Sequence, residues 1–294
     1  MSVCTLCPRK CGVDREIMRG YCQSGGKMHI ARAKLHYWEE PPISGTRGSG
    51  TIFFTGCSLR CAFCQNSEIS GESLHGKDFT VEEFIETIKK LEAMGAHNIN
   101  LVTPTHFASQ IAEALRIYKP RVPVVYNCGG YESVETLRML EGLVDIYLPD
   151  FKYLNTDHAK KYSMAEDYPE IAKAALAEMV RQTGEPVFDE RGMMKRGVIV
   201  RHLLLPGCLA DGKRVVKYLH ETYGNRIYMS LMSQYTPLES LDAVKYPELN
   251  RKVPEYAYEK LVDYAISLGV MQAFIQEGDT AKESFIPPFT LEGV

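Results

Sequence analysis

The sequence predicts an α/β protein on a largely parallel sheet, and three observations carry that prediction. From Thr51 onward, short apolar runs alternate six times with helical patterns, the mark of βαβ units. The runs are near-continuously apolar, as strands covered on both faces are. Polar or reactive residues stand at their C-terminal ends, where parallel α/β folds carry their chemistry.

The first strand is the β-branched and aromatic run Thr51-Ile-Phe-Phe-Thr, which Gly56 ends. Thr80-Val-Glu-Glu83 is a capping box, and the helix it opens runs to about residue 95, with Phe84, Ile85, Ile88, Leu91 and Met94 on one buried face. Strands follow at 98–103, 122–127 and 144–148, separated by helices at 107–118 and 133–142, the second capped by Ser133. A long helical region covers 157–182, with a break near Pro169. Then come a strand at 197–205, a helix at 211–223, a strand at 226–232, a helix at 254–268 and a short apolar strand at 270–275. Six units fall short of the eight in a closed barrel, so the pattern by itself leaves a partial barrel and a doubly wound open sheet both standing. Before Thr51, residues 1–27 form a cysteine-rich segment and 28–50 a linking extension, which starts as a strand and continues as a Pro/Gly-rich loop. Trp38, the single tryptophan, is expected to pack there; His36, Glu39 and Glu40 are either site residues or part of a solvated turn.

With 45% hydrophobic residues and a formal charge of −3, the chain has ordinary globular composition. The slight acidity disfavours a nucleic-acid partner held by bulk charge. No apolar stretch approaches the roughly 20 residues that span a bilayer, and Met1-Ser-Val-Cys-Thr-Leu-Cys has no apolar core of a secretion signal. The expectation is a cytoplasmic protein without a membrane partner, in which clusters among the nine cysteines bind metal rather than pair as disulfides.

Directly after the first strand, Cys57, Cys61 and Cys64 stand in the spacing C-x3-C-x2-C, with Phe63 before the last. Three thiols in eight residues suit an iron–sulfur centre; three rather than four ligands leave one iron open. An apolar strand followed by C-x3-C-x-aromatic-C resembles the signature of the radical S-adenosylmethionine (SAM) superfamily. The whole chain resembles the activating enzymes of glycyl-radical enzymes, named after pyruvate formate-lyase activating enzyme, and within them a PflX-type subgroup with a cysteine-rich N-terminus. The resemblance implies an open, partial (βα)6 TIM-type barrel over 51–294 and a 4Fe–4S cluster on Cys57, Cys61 and Cys64. It further implies SAM on the open iron, and reductive cleavage of SAM to methionine and a 5′-deoxyadenosyl radical.

The strand ends supply the remaining candidates. Thr103, Thr105 and His106 follow the second strand, where many activating enzymes have a Gly-Gly-Glu that this chain lacks. Asn127-Cys-Gly-Gly-Tyr follows the third; its glycines permit close approach of a ligand, and Cys128 reads as a packing residue. Asp150 and Lys152 follow the fourth, two apart and so on one side of an extended chain; they resemble the family's Asp-x-Lys motif, which implies that Lys152 meets the SAM carboxylate. Arg201 interrupts the apolar fifth strand, so it requires a partner if buried, and it matches the family's strand arginine on the SAM side; His202 points the other way, into the core. Gln234 and Tyr235 end the sixth strand, where the family often has a histidine, and face adenine or substrate.

The N-terminal Cys4, Cys7, Cys11 and Cys22, spaced C-x2-C-x3-C-x10-C, suit tetrahedral zinc or a second iron–sulfur cluster. So short and polar a segment has little core, and a metal can supply its folding energy. The resemblance implies a protein or peptide substrate, a flavodoxin- or ferredoxin-type reductant, and abstraction of a glycine α-hydrogen from a partner enzyme. Two other readings stand beside it: a radical SAM modifier of another peptide or small molecule, and a non-catalytic iron–sulfur electron carrier.

Overall fold

The computed structural model describes residues 3–71, 75–239, 241–275 and 289–294; the 276–288 part of the expected barrel region lies outside them. The strands are β1 (Met28–His36), β2 (Ser49–Phe54), β3 (Lys77–Phe79), β4 (Ile99–Val102), β5 (Val124–Cys128), β6 (Ile146–Pro149), β7 (Val187–Phe188), β8 (Met194–Leu203), β9 (Tyr228–Met232) and β10 (Ala273–Ile275). The helices are α1 (Pro41–Ser44), α2 (Ser67–Ser70), α3 (Val81–Ala93), α4 (Ala108–Ile117), α5 (Val134–Met139), α6 (Thr156–Ser163), α7 (Tyr168–Thr183), α8 (Leu209–Tyr223) and α9 (Glu255–Ser267).

The sheet runs β10-β9-β8-β6-β5-β4-β2-β1-β3, with β7 paired to β8. Neighbours from β2 to β10 along this path are parallel. At the other edge β1 runs antiparallel to β2 and β3. Among the described residues β10 does not pair with β3, so the sheet is an unclosed barrel. The 28–50 stretch is thus part of the sheet as well as a connection into it.

The alternation of side chains along each strand sorts two faces. Ile52, Phe54, Leu101, Val124, Tyr126, Tyr147, Val198, Val200, Met229 and Leu231 point outward into the main core under the helices. Val125, Ile146, Leu148 and Ile199 point inward and close, with Ile43 of α1, around the lumen's lower end. Asn98 donates to the Ile43 carbonyl (2.7 Å) and holds α1 there. One residue further along the inward row stand Asn127, Asp150 and Arg201. The lumen is therefore layered: an apolar floor, a polar tier, then the mouth.

Several expectations are corrected. Trp38 does not pack inside; it is 59% exposed, because the 37–40 turn places it on the rim of the lumen. The Thr80 capping box is present, but Met94 sits past the helix end and is exposed. Ser133 stands at the N-cap without a capping bond. The 157–182 region does break near Pro169, as expected: Met164, with left-handed backbone (φ 51°), ends α6, and Pro169 sits in the first turn of α7, where a missing N–H costs nothing.

Candidate SAM and iron–sulfur site

The 57–64 loop leaves β2 at the mouth of the lumen. Gly56 starts it with φ 81°, and a Cβ there would fall 2.3 Å from the Cys22 carbonyl, so only glycine fits. The loop is pinned by Gly56 N–H to the Ile69 carbonyl (2.7 Å) and by Ala62 N–H to the Tyr162 carbonyl (2.7 Å). Phe63 is buried edge-on against Tyr153, which turns the neighbouring thiols toward the cleft.

Cys57, Cys61, Cys64, Phe63, Thr103, Asn127, Asp150, Lys152, Arg201 and Gln234 all line one cleft. It holds about 1350 Å3 free of protein atoms, open solvent at the mouth included. His106 does not line it. That side chain is buried behind β2, its Nε2 2.7 Å from the Thr55 carbonyl. Thr105 is buried too and donates to Glu132 (2.8 Å). Tyr235 turns into the core and donates to the Leu249 carbonyl. His202 points outward as expected, with Nδ1 2.8 Å from the Phe151 carbonyl. Of the glycines after β5, Gly129 lines the cleft, while Gly130 admits protein: a Cβ there would lie 2.1 Å from the Asp150 carbonyl.

The polar tier is a single charge network. Lys152 Nζ donates to Asp150 Oδ2 (2.6 Å), and Arg201 Nε to Asp150 Oδ1 (2.9 Å). Arg201 Nη2 donates to Asn127 Oδ1 (2.6 Å) and Nη1 to Glu39 Oε2 (3.3 Å). Glu39 Oε1 also accepts from Asn100 (3.0 Å) and Asn127 (3.3 Å). Glu39, one of two alternatives in the sequence, is therefore a site residue; Asn100 went unread, although an asparagine in an inward position of an apolar strand was its signal. Burial opposes the charge of Lys152 and Arg201, yet Asp150, joined by Cys61 and Cys64 at Lys152 and by Glu40 and Glu39 at Arg201, holds their pKa values above the ordinary ones. Burial likewise pushes Asp150 up, but the two cations win and keep it below the usual carboxylate range. Glu39 and Glu40 go the other way: burial raises both against the pull of Arg201. Tyr168 clamps the strand end, accepting from Lys152 N–H (2.9 Å) and touching the Gly129 and Asp150 carbonyls. Thr103 adopts φ 57° at the cleft wall, a left-handed conformation that costs a β-branched residue about 1–3 kcal/mol.

The three thiols fit a polynuclear iron centre. Each has one hydrogen-bonding neighbour: Leu59 N–H at Cys57 Sγ (3.4 Å), Ser163 Oγ at Cys61 Sγ (3.0 Å) and Ser70 Oγ at Cys64 Sγ (3.2 Å). Such contacts tune sulfur ligands. Burial pushes the Cys57 thiol up, and Cys61 to about 11, while Lys152 pulls both down; bound iron would deprotonate them outright. Among the described residues no three His, Cys, Asp or Glu side chains are gathered for a single ion. Ligands that each hold a different iron need no such convergence.

A family model described as the Radical SAM superfamily matches residues 51–207. Uncharacterized protein MJ0674 of Methanocaldococcus jannaschii is 30% identical over 271 residues, 89% of this chain and 74% of its own. The fold is similar to that of methylornithine synthase PylB (TM-score 0.53, 14% identity, 83% of this chain and 65% of that one). It is also similar to that of HydG, a maturase of the FeFe-hydrogenase (0.51, 17%, 74% and 49%). Streptococcus suis SuiB, solved with its precursor peptide SuiA, is a further likeness (0.50, 12%, 76% and 47%). The chain spans about half the length of HydG and of SuiB. At these identities the likeness to solved structures is one of fold.

Proposed function

This chain belongs to the radical SAM superfamily, and from that premise we propose that it is a radical SAM enzyme that activates a glycyl-radical partner protein. Cys57, Cys61 and Cys64 hold the 4Fe–4S cluster in this reading, and the cleft behind them holds SAM. The observation that carries it is the meeting of three thiols with the Lys152–Asp150–Arg201–Glu39 network in one cleft.

When bound, cluster and SAM supply one-electron cleavage and a carbon radical able to abstract hydrogen. The chain's own residues bind and orient. Lys152 presents a fixed cation beside the cluster loop for the carboxylate of SAM. Asp150 holds Lys152 and Arg201 apart and in place. Arg201, Asn127 and Glu39 offer donors and acceptors to the deeper part of the ligand, with Phe63 and Thr103 on the walls and Gln234 at the sixth strand's end. The apolar floor beneath Glu39 excludes water from below. Above, the mouth is open and carries exposed Trp38 on its rim, which suits a loop of a large protein delivering its glycine to the rim. A flavodoxin- or ferredoxin-type protein supplies the electron.

The test is SAM cleavage by anaerobically reconstituted, reduced protein, followed by electron paramagnetic resonance of a glycyl-radical candidate mixed with it. 5′-Deoxyadenosine together with a protein-borne glycyl signal is the expected result. Deoxyadenosine without that signal, but with a modified peptide, would replace activation by peptide modification. No SAM binding by a protein carrying a reduced cluster would overturn the catalytic reading.

A further inference from the structure

The proposed function leaves Cys4, Cys7, Cys11 and Cys22 unused. The structure describes the segment around them as nearly coreless: within 3–27 only Cys7, Gly20, Cys22 and Ser24 are buried, while Val3, Ile17 and Met18 are exposed. Two thiols and two small residues cannot supply the apolar burial that orders a chain of this length. Yet its backbone is closed by turns at each cysteine. Lys10 N–H bonds the Cys7 carbonyl, Gly12 N–H the Cys4 carbonyl, Cys4 N–H the Val13 carbonyl and Gln23 N–H the Gly20 carbonyl. Lys10 and Gln23, one on each side of the segment, take left-handed backbone (φ 42° and 64°), at a cost that something must offset.

Two of the sulfurs lie on either side of Gly20. A Cβ on Gly20 would lie 3.2 Å from Cys11 Sγ and 3.6 Å from Cys22 Sγ, so both flank one Cα. Burial pushes the Cys7 thiol up to about 12, and Cys22 and Cys4 add to the push. All four thiols are free of disulfides. Cys11 is exposed, and among the described residues no three thiols already stand together for one ion, so a metal would draw them together as it binds.

We propose that Cys4, Cys7, Cys11 and Cys22 form a second metal centre, a tetrathiolate site that folds residues 3–27 and fastens them to the 57–64 loop. The fastening is visible. Arg9 Nε donates to the Ser58 carbonyl (2.8 Å), next to Cys57, and Arg60 Nη2 donates to the Tyr21 carbonyl (3.0 Å), next to Cys22. Both guanidinium groups lie on the Tyr21 ring. The Cys22 carbonyl fills the space that glycine leaves at position 56. Each cysteine set is thus gripped by an arginine from the other. Four thiolates without histidine accept zinc or an iron–sulfur cluster, and metal binding releases the thiol protons.

The inference does not rest on SAM chemistry, so its test removes that site first. Full-length protein with Cys57→Ala, Cys61→Ala and Cys64→Ala, expressed with zinc and iron and purified anaerobically, is assayed for zinc, iron and sulfide. The expected result is one retained zinc, or iron and sulfide in cluster proportion, lost when Cys4→Ser and Cys11→Ser are added. These two positions are chosen because neither thiol is buried. Metal-free triple variant, metal retained by the quintuple variant, or an oxidised cysteine pair in its place would overturn the proposal. An independent readout is maleimide labelling of wild-type Cys11, expected only after a chelator strips the metal; immediate labelling of the folded protein would sink it.

Discussion

Two cysteine-rich stretches lie against each other in this molecule, and they are ordered by different means. The 57–64 loop hangs from β2, inside the sheet, and its own Phe63 and its partners Tyr153 and Tyr162 belong to the main core. Its shape is inherited from the fold. The 3–27 segment buries no large apolar side chain; in the proposal above, its shape depends on what its thiols hold and on the arginine grips. The same residue type at similar spacing is in one place a passenger on a scaffold and in the other the scaffold itself.

The largest effect that separates the two is functional. Replacing Cys57, Cys61 and Cys64 by Ala should abolish SAM cleavage while changing stability by less than about 1 kcal/mol, the range of mild substitutions, as read by urea unfolding. A large loss of stability would erase the contrast. Next is the polar tier that the loop faces. Arg201→Met should cost about 3–5 kcal/mol, because Asp150 and Glu39 lose their shared partner in a buried place; urea midpoints measure it. The seam comes third. His106 stands between the two stretches, with Nε2 on the Thr55 carbonyl, Arg15 donating to its own carbonyl, and Nδ1 buried without a partner. Burial, reinforced by Arg15, pushes its pKa down to about 3. A depressed folded value means that the unfolded chain binds the extra proton first. The associated stability is therefore complete above the ordinary histidine value of about 6.5 and declines as pH falls toward 3. The loss is on the order of 2 kcal/mol at a pH of about 5, and His106→Gln should flatten it in a pH series of melting curves. The smallest effect is Arg9→Ala, which removes one grip worth about 1 kcal/mol. Limited proteolysis should then cut within 3–27 sooner, with the barrel unaffected.

What the sequence disclosed follows the same division. The six-fold strand–helix alternation and the C-x3-C-x2-C loop were legible because each is local: periodicity, turn residues and ligand spacing all lie within a few positions. Arg201 and the Asp150–Lys152 pair were legible as charges at strand ends. Glu39 was not separable from a solvated turn, because its contacts with Arg201, Asn100 and Asn127 come from three strands far along the chain. Trp38 was read as a packing residue on its size alone, and His106 as a ligand group on its position alone; one lies on the rim and the other behind β2. The antiparallel edge that β1 adds was hidden because an apolar run does not name its partner.

The plug at the lower end has a consequence for traffic. Among the described residues, Ile43 and the side chains around it close the lower end of the lumen and leave a pit entered from the mouth. Whatever lies deep must arrive before whatever rests on the rim, and must wait for it to depart. Under the proposed function, depth in the barrel is order in time: small molecule first, large visitor last, and the reverse on the way out.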